Sequence, residues 1–236
     1  MKPPSTVSVI MAVYNGQQYV LEALNSVLKQ KVESLEFIII DDGSTDNTVA
    51  IIKSTIATVR LPYKISLYQQ SNHGLAASQN WALTLATGKY ISFMDADDIW
   101  EPNKLERQLG VLTAQPALDM VFGHVLQFHS PELSAAECAR ILCPSQPQVS
   151  LMSNSMLATK SIFDKVGYFD TSWRKGPFID WFARTIEAKA RYIILPEVVY
   201  HRRLHKNNMG IINRRYTIDY VRILKASLDR RRLLVD

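Results

Sequence analysis

The feature that most constrains this chain is an alternation, through its first half, of short apolar runs with segments of helical periodicity. Val7–Val13, Glu36–Ile40, Ile65–Tyr68 and Lys89–Met94 are rich in apolar residues and bounded by turn residues, as buried strands are. Between the first two, Val20, Leu24, Val27 and Leu28 recur at i, i+4, i+7 and i+8, the spacing of an amphipathic helix. Ser44 and Thr45 stand where caps would begin a helix reaching about Ser54, and Gly74 to Ala86 reads as a third helix. Strands joined by helical crossovers pair in parallel. The expected fold class is therefore α/β, a Rossmann-like, mostly parallel central sheet flanked by helices. Ligands of such sheets bind beyond the carboxyl ends of the strands. Tyr14, the pair Asp41-Asp42, and Asp95-Ala96-Asp97-Asp98 all fall at such ends.

The second half is less regular. Leu105–Leu112 suggests a helix, Met120–Phe128 a strand, and Ser130–Ser150, with Pro131, Pro144 and Pro147, an excursion around a short helical stretch. Asn154–Thr159 reads as a strand, Ile162–Val166 and Phe178–Lys189 as helices, and Tyr192–Leu195 and Val198–Leu204 as two more strands. Arg215–Leu234 reads as a terminal helix, a C-terminal helical extension. No repeat, low-complexity run or clear linker interrupts the 236 residues. The expectation is one domain, with a ligand-binding half to about residue 115, a more variable half to about residue 210 and the terminal helix after it.

The chain carries 27 Lys and Arg against 22 Asp and Glu, and the excess is uneven. Ten Lys or Arg and two Asp lie between Arg202 and Arg232. Such a basic end suits a nucleoside diphosphate, a phosphorylated acceptor or an anionic membrane surface; no motif for reading nucleic acid accompanies it, so no nucleic-acid partner is expected. In the terminal helix Arg222, Lys225, Arg230, Arg231 and Arg232 accompany Ile218, Val221, Leu224 and Leu228 at helical spacing. Such a helix either lies on a membrane surface or packs its apolar stripe on the domain; the packed arrangement is the favoured expectation. Cys138 and Cys143 read as two reduced thiols, with no clustered Cys or His to suggest structural zinc. No apolar stretch reaches the ~18 residues of a membrane span. The expected location is cytoplasmic, with a peripheral contact of the basic helix at the inner face of the membrane as the alternative.

Asp95 and Asp97 place two carboxylates one residue apart in a turn after a buried strand. Carboxylates so spaced can meet one divalent cation and the ribose that accompanies it. Mg²⁺ or Mn²⁺ takes a few protein oxygens and completes its shell with water and phosphate oxygens. Alone, the spacing is common by chance, and a solvated acidic turn explains it equally well. Asp41-Asp42-Gly43-Ser44-Thr45-Asp46 follows a strand in the same way, and its carboxylates suit a ribose or a base imide; a capped turn is the plainer alternative.

Taken together and in order, VSVIMAVYNGQQYVLEALNSVLKQ, EFIIIDDGSTDNT, NHGLAASQNWALTLATGKYISFMDADDIWEP and RRLHKNN resemble the glycosyltransferase family 2 group, which has the GT-A fold. The dense match runs over residues 7–108, with weaker echoes to about residue 210. The resemblance implies an inverting transfer from a nucleotide sugar, usually a UDP sugar, to a saccharide, lipid-linked or other hydroxyl acceptor, with Mn²⁺ or Mg²⁺ as cofactor. It implies that Ala12, Tyr14 and Asp42 contact the nucleoside. Asn72 and Gly74 begin the donor-side loop, Asp95 and Ala96 lie on the ribose and diphosphate side, and Asp97 binds metal. Asp98 would support the turn. In Arg203-Leu204-His205 the imidazole would join the metal or diphosphate, and the Arg a phosphate.

Two departures stand out. Ser78-Gln79-Asn80 replaces a common Ala-Arg-Asn, removing a positive charge near the donor. In Gly176-Pro177-Phe178-Ile179-Asp180-Trp181-Phe182-Ala183-Arg184, Pro177-Phe178 stand where a Glu-Asp pair usually supplies the base. Asp180 is the one acidic side chain between Asp170 and Glu187, which makes it the candidate catalytic base. Its structural alternative is a salt bridge to Arg184 at i+4. Trp100, Trp173 and Trp181 are candidates either for stacking on an acceptor sugar or for the core. A degenerate, non-catalytic nucleotide-sugar or partner-binding module is the rival reading. A nucleotidyltransferase would want a Gly-rich phosphate loop that Ala12–Gln17 lacks.

Overall fold

The computed structural model describes residues 6–60, 62–208 and 217–232. β1 (Val7–Val13), α1 (Val20–Leu28), β2 (Leu35–Asp41), α2 (Thr48–Thr58), β3 (Lys64–Gln69), α3 (Leu75–Leu85) and β4 (Tyr90–Asp95) form the expected alternation. They give a parallel block in the order β3-β2-β1-β4. Helix α2 starts later than Ser44 and Thr45 suggest. Their polar atoms instead tie the β2–α2 turn to the β1–α1 turn: Asn15 N donates to Ser44 Oγ (2.9 Å) and Thr45 N to Asn15 Oδ1 (2.8 Å).

The second half extends the same sheet. It comprises β5 (Ile99–Trp100), α4 (Lys104–Ala114), β6 (Met120–His129), the short α5 (Ala135–Cys138), β7 (Gln148–Ser150), β8 (Leu157–Thr159), α6 (Lys160–Val166), α7 (Pro177–Glu187), β9 (Tyr192–Leu204) and α8 (Ile218–Arg232). The sheet continues from β4 through β8, β6 and β9 to β5, with β7 beside β6. Strand β8 pairs antiparallel with β4 and β6, while β6 and β9 run parallel. Two expectations change here. Asn154 lies in a 3-10 turn, Ser153–Ser155, before β8. The two expected strands at 192–204 are one strand, which crosses Pro196 with register shifts around His124. Proline has no N–H to give the ladder, so pairing slips rather than ends there. The ends of the terminal helix expected at Arg215 and Leu234 lie outside the described residues.

Alternation along each strand splits the core into two layers. Val7, Val9, Met11, Leu35, Phe37 and Ile39 face α1 and α4 with Leu24, Val27, Leu105 and Leu112. Ile10, Ile38, Ile40, Ile91 and Phe93 face the other way, onto Leu83, Phe163, Phe178 and Trp181 of α3, α6 and α7. Each such side chain contributes about 1.5–3 kcal/mol on full burial. A one-residue slip in β1 would exchange both layers. The register therefore fixes the strand ends together: Val13 pairs with Asp41, and Ala12 with both Ile40 and Asp95.

Candidate active site

That register gathers the β1, β2 and β4 ends at one edge of the sheet. Tyr14 is 53% exposed there, and Ala12 is half-buried. The turn carrying Tyr14 is pinned by Gly16 N to Thr48 Oγ1 (2.8 Å) and Gln17 N to Asp46 Oδ2 (3.2 Å). Asp42 is buried, and its carboxylate already accepts three bonds, from Gln70 Nε2 (2.7 Å), His73 N (2.9 Å) and Gly74 N (2.8 Å). It thus shapes the loop that presents the exposed Asn72 and leads into α3. Its neighbour Asp41, also buried, accepts from Ser44 N with Oδ2 and leaves Oδ1 without a partner.

The acidic turn after β4 is held from behind by residues distant in sequence. Asp98 accepts from Asn154 Nδ2 (2.6 Å) and from Arg203 N (2.9 Å). Arg203 is buried, with Nε on Asp97 O (3.0 Å), Nη1 on Ser130 Oγ (3.4 Å) and Nη2 paired with Glu22. Its guanidinium packs over the Tyr19 and Phe128 rings. Arg203 therefore clamps the acidic turn, a correction to its expected pairing with a donor phosphate: each of its guanidinium nitrogens is engaged by a protein group. Asp97 Oδ2 meets His205 Nε2 at 3.0 Å and Asn208 Nδ2 at 3.3 Å. The His205 ring lies 4.7 Å from that of Tyr19, and its Nδ1 is buried without a partner. The sequence indicates His205 and carries Asn208 in the same RRLHKNN segment, but gives no sign of Asn154 as a support, since it stands 56 residues from Asp98 with no shared pattern.

Electrostatically this is a strained corner. No described residue donates a hydrogen bond to the Asp95 carboxylate or to Asp97 Oδ1. Burial, then the charge of Asp97, push the Asp95 carboxyl up to about 7, partly opposed by Arg202. The same causes, joined by Asp95, raise Asp98 well above the carboxylate range. Adjacent carboxylates in a sheltered site favour a cation or a proton. Bare hard oxygens beside an imidazole fit a divalent ion that takes its remaining ligands from phosphate and water. Among the described residues no three acidic, His or Cys side chains surround one point.

Asp180 is buried in the first turn of α7. Its Oδ2 accepts from Arg184 Nε (2.9 Å) and its Oδ1 from Arg230 Nη1 (3.2 Å). Pro177 opens the helix, and Phe178, 7% exposed, stacks on Phe182 at 6.2 Å. An aromatic core fills the place where an acidic pair is usual. Asn80 clasps the Phe169 backbone with both ends of its amide (2.8 and 3.0 Å). Two of the three Trp candidates for sugar stacking are core residues: Trp100 is 2% exposed with Nε1 on Asn154, and Trp181 is fully buried with Nε1 on Gly167 O. His201 pairs with Glu101 at 2.5 Å. Cys138 and Cys143 are free thiols.

The sequence model of glycosyl transferase family 2 matches residues 8–138, from β1 through the acidic turn to α5. The chain belongs to glycosyl transferase family 2. Among curated relatives it is similar to an uncharacterized glycosyltransferase of Rickettsia typhi, 29% identical over 212 residues, covering 84% of this chain and 64% of that one. It is also similar to the putative glycosyltransferase EpsE of Bacillus subtilis, 37% identical over 147 residues, covering 62% and 51%. This chain spans between 31% and 64% of the length of the first such relatives. In fold it is similar to S. aureus TarS 1-349 in complex with UDP-GlcNAc, with TM-score 0.66 at 21% identity over 86% of this chain and 60% of that. It is likewise similar to the mannosyltransferase PcManGT of Pyrobaculum calidifontis in complex with GDP-Man and Mn²⁺, with TM-score 0.64 at 21% identity over 88% and 59%. The chain shares the mixed α/β sheet of these structures. Among the described residues no helix is long and apolar enough to cross a membrane.

Proposed function

We propose that this family 2 enzyme transfers a sugar from a UDP-linked donor to a hydroxyl acceptor with inversion, assisted by Mn²⁺ or Mg²⁺. The observation that carries the reading is the Asp95–Asp97 carboxylate pair, with Asp97 Oδ2 braced by His205 and Asn208, at the edge where three strands end. In this reading Tyr14, Ala12 and Asp42 frame the nucleoside. Asn72 and Gly74 start the loop along the donor, and Asp95 with Ala96 meets the ribose and diphosphate. Asp97 and His205 hold the metal. When bound, the metal neutralises the departing diphosphate. The chain's own residues orient the donor and exclude water from the buried side of the turn.

Asp180 remains the acidic side chain for the base role. To accept a proton from an acceptor hydroxyl it must leave Arg230, because both its oxygens are engaged by guanidinium groups. A neighbour bound to GDP-Man makes a guanosine-linked donor the alternative to test.

The experiment is thermal unfolding of the chain against UDP and GDP sugars, each with Mn²⁺ or with chelator. A metal-dependent rise in melting temperature is expected with a UDP sugar; a ligand at about 100 times its Kd adds ~2.7 kcal/mol. His205→Ala and Asp97→Asn should each remove the metal dependence. No shift with any UDP sugar plus Mn²⁺ sinks the donor assignment.

A further inference from the structure

Helix α8 meets the protein along its polar side and leaves its apolar side outside. Asp219, Ile223 and Ser227, at i, i+4 and i+8, are its buried residues. Asp219 Oδ2 accepts from Lys175 N (3.1 Å), and Ser227 Oγ donates to Glu187 Oε1 (2.6 Å). Arg230 completes the stripe, with Nε on Glu187 Oε2 (2.7 Å) and Nη1 on Asp180. Val221, Leu224 and Leu228 project to the opposite side at the helical period. They are 62%, 61% and 45% exposed, with Ile218 and Tyr220 exposed on either side of them. This overturns the expectation that the apolar stripe packs on the domain: the buried Asp219 and Ser227 and the half-buried Arg230 find partners on α7 and its N-terminal loop, and the leucines do not.

Cations border that ridge on both sides. The helical period sets Arg222, Lys225 and Arg232 along one flank and Arg231 along the other. Arg222 and Arg232 meet Asp219 and Asp229 only at 3.7 Å, with side chains 65% and 80% exposed. An apolar ridge flanked by Arg and Lys, whose stems run along it while their charges reach outward, suits a phospholipid boundary with anionic headgroups. Charge separates the occupants. A second copy docked on this ridge would set like charges against each other, whereas an anionic surface is attracted by every one of them.

We propose that α8 is an interfacial helix that docks this enzyme on anionic phospholipid surfaces through Val221, Leu224, Leu228 and their flanking cations. Its contacts with α7 survive docking because they use the opposite side.

The test is co-sedimentation of the whole chain with phosphatidylcholine vesicles and with vesicles containing about a third phosphatidylglycerol. Binding is expected with the anionic vesicles and should weaken as salt rises. Leu224→Asp/Leu228→Asp should abolish it. Arg222→Gln/Lys225→Gln/Arg231→Gln/Arg232→Gln should lower partitioning on the order of a hundredfold or more. All these side chains are exposed, so both variants should melt with the wild type and keep its donor-induced shift. That donor shift reads the transferase assignment separately. Failure of the wild type to bind anionic vesicles at low salt overturns the proposal, as does undiminished binding by the Leu variant. Self-association that Leu224→Asp/Leu228→Asp abolishes, without vesicle binding, assigns the ridge to a second copy instead.

Discussion

Replacing Asp180 with Asn removes a negative charge from between two guanidinium groups. The Asp180 side chain is 4% exposed, that of Arg184 19% and that of Arg230 33%, so solvent screens the Arg184 pair least. Asparagine keeps one acceptor oxygen and turns an NH₂ donor toward the other cation. One charge-assisted bond is lost outright, and the remaining one is weakened. Hydrogen bonds to charged groups contribute about 1.5–3 kcal/mol. Arg230 retains Glu187 as partner, which limits the damage from its unpaired charge. The expected loss is about 2–4 kcal/mol, a fall in melting temperature of about 4–16 °C for a chain of this size. Differential scanning calorimetry reads it directly. A midpoint within ~1 °C of wild type would refute the claim that this network matters to the fold. The same variant tests chemistry: the base role requires loss of transfer with donor binding intact, and near-normal turnover removes Asp180 from the reaction. Arg230→Gln separates the two, since freeing Asp180 should leave transfer undiminished while lowering stability.

Gly74 sits at φ +90° and ψ 164° with nothing within 4 Å of its Cβ position; Gly74→Ala should cost about 1–3 kcal/mol in urea unfolding from backbone strain alone. Arg203→Lys keeps the charge but loses the fork that joins Glu22, Ser130 and the Asp97 carbonyl, so stability should fall by about 2 kcal/mol and metal-dependent donor binding should weaken in calorimetric titration. The ligand-free protein should melt lower as pH rises from about 5 to about 7.5. Asp95 is raised from 3.8 to about 7, so the stability present below its unfolded value is lost as pH passes through the folded one. Burial raises the neighbouring Asp98 as well, so Asp95→Asn should flatten the slope in part. Glu187, Asp46 and Glu132, held low by their hydrogen bonds against a desolvation cost, act in the opposite sense, but only as pH falls below the ordinary carboxylate range.

Much of the fold was legible because its information is local. The apolar runs and helical segments of residues 7–95 each announce themselves within one window, and the chirality of βαβ crossovers leaves few ways to assemble them. The placement of Tyr14, Asp42 and Asp95 followed from the same reasoning, since a parallel sheet puts its strand ends on one edge. The match of several ordered motifs added the chemistry of a donor site.

Where contacts reach across the chain, local pattern falls silent. Nothing near Asp98 foretells that Asn154 and the backbone of Arg203 hold it, 56 and 105 residues away. The 192–204 strand looked like two because Pro196 breaks the local signal, while pairing with β6 carries it through. Helix α8 is the sharpest instance. Its residue spacing describes two faces equally well and cannot say which one turns inward. That choice belongs to Asp180 and Glu187 on α7, which supply the acceptors for Arg230 and Ser227. Periodicity is a property of one segment, whereas the direction a face points depends on which partner satisfies it, and that partner exists only once the chain has folded.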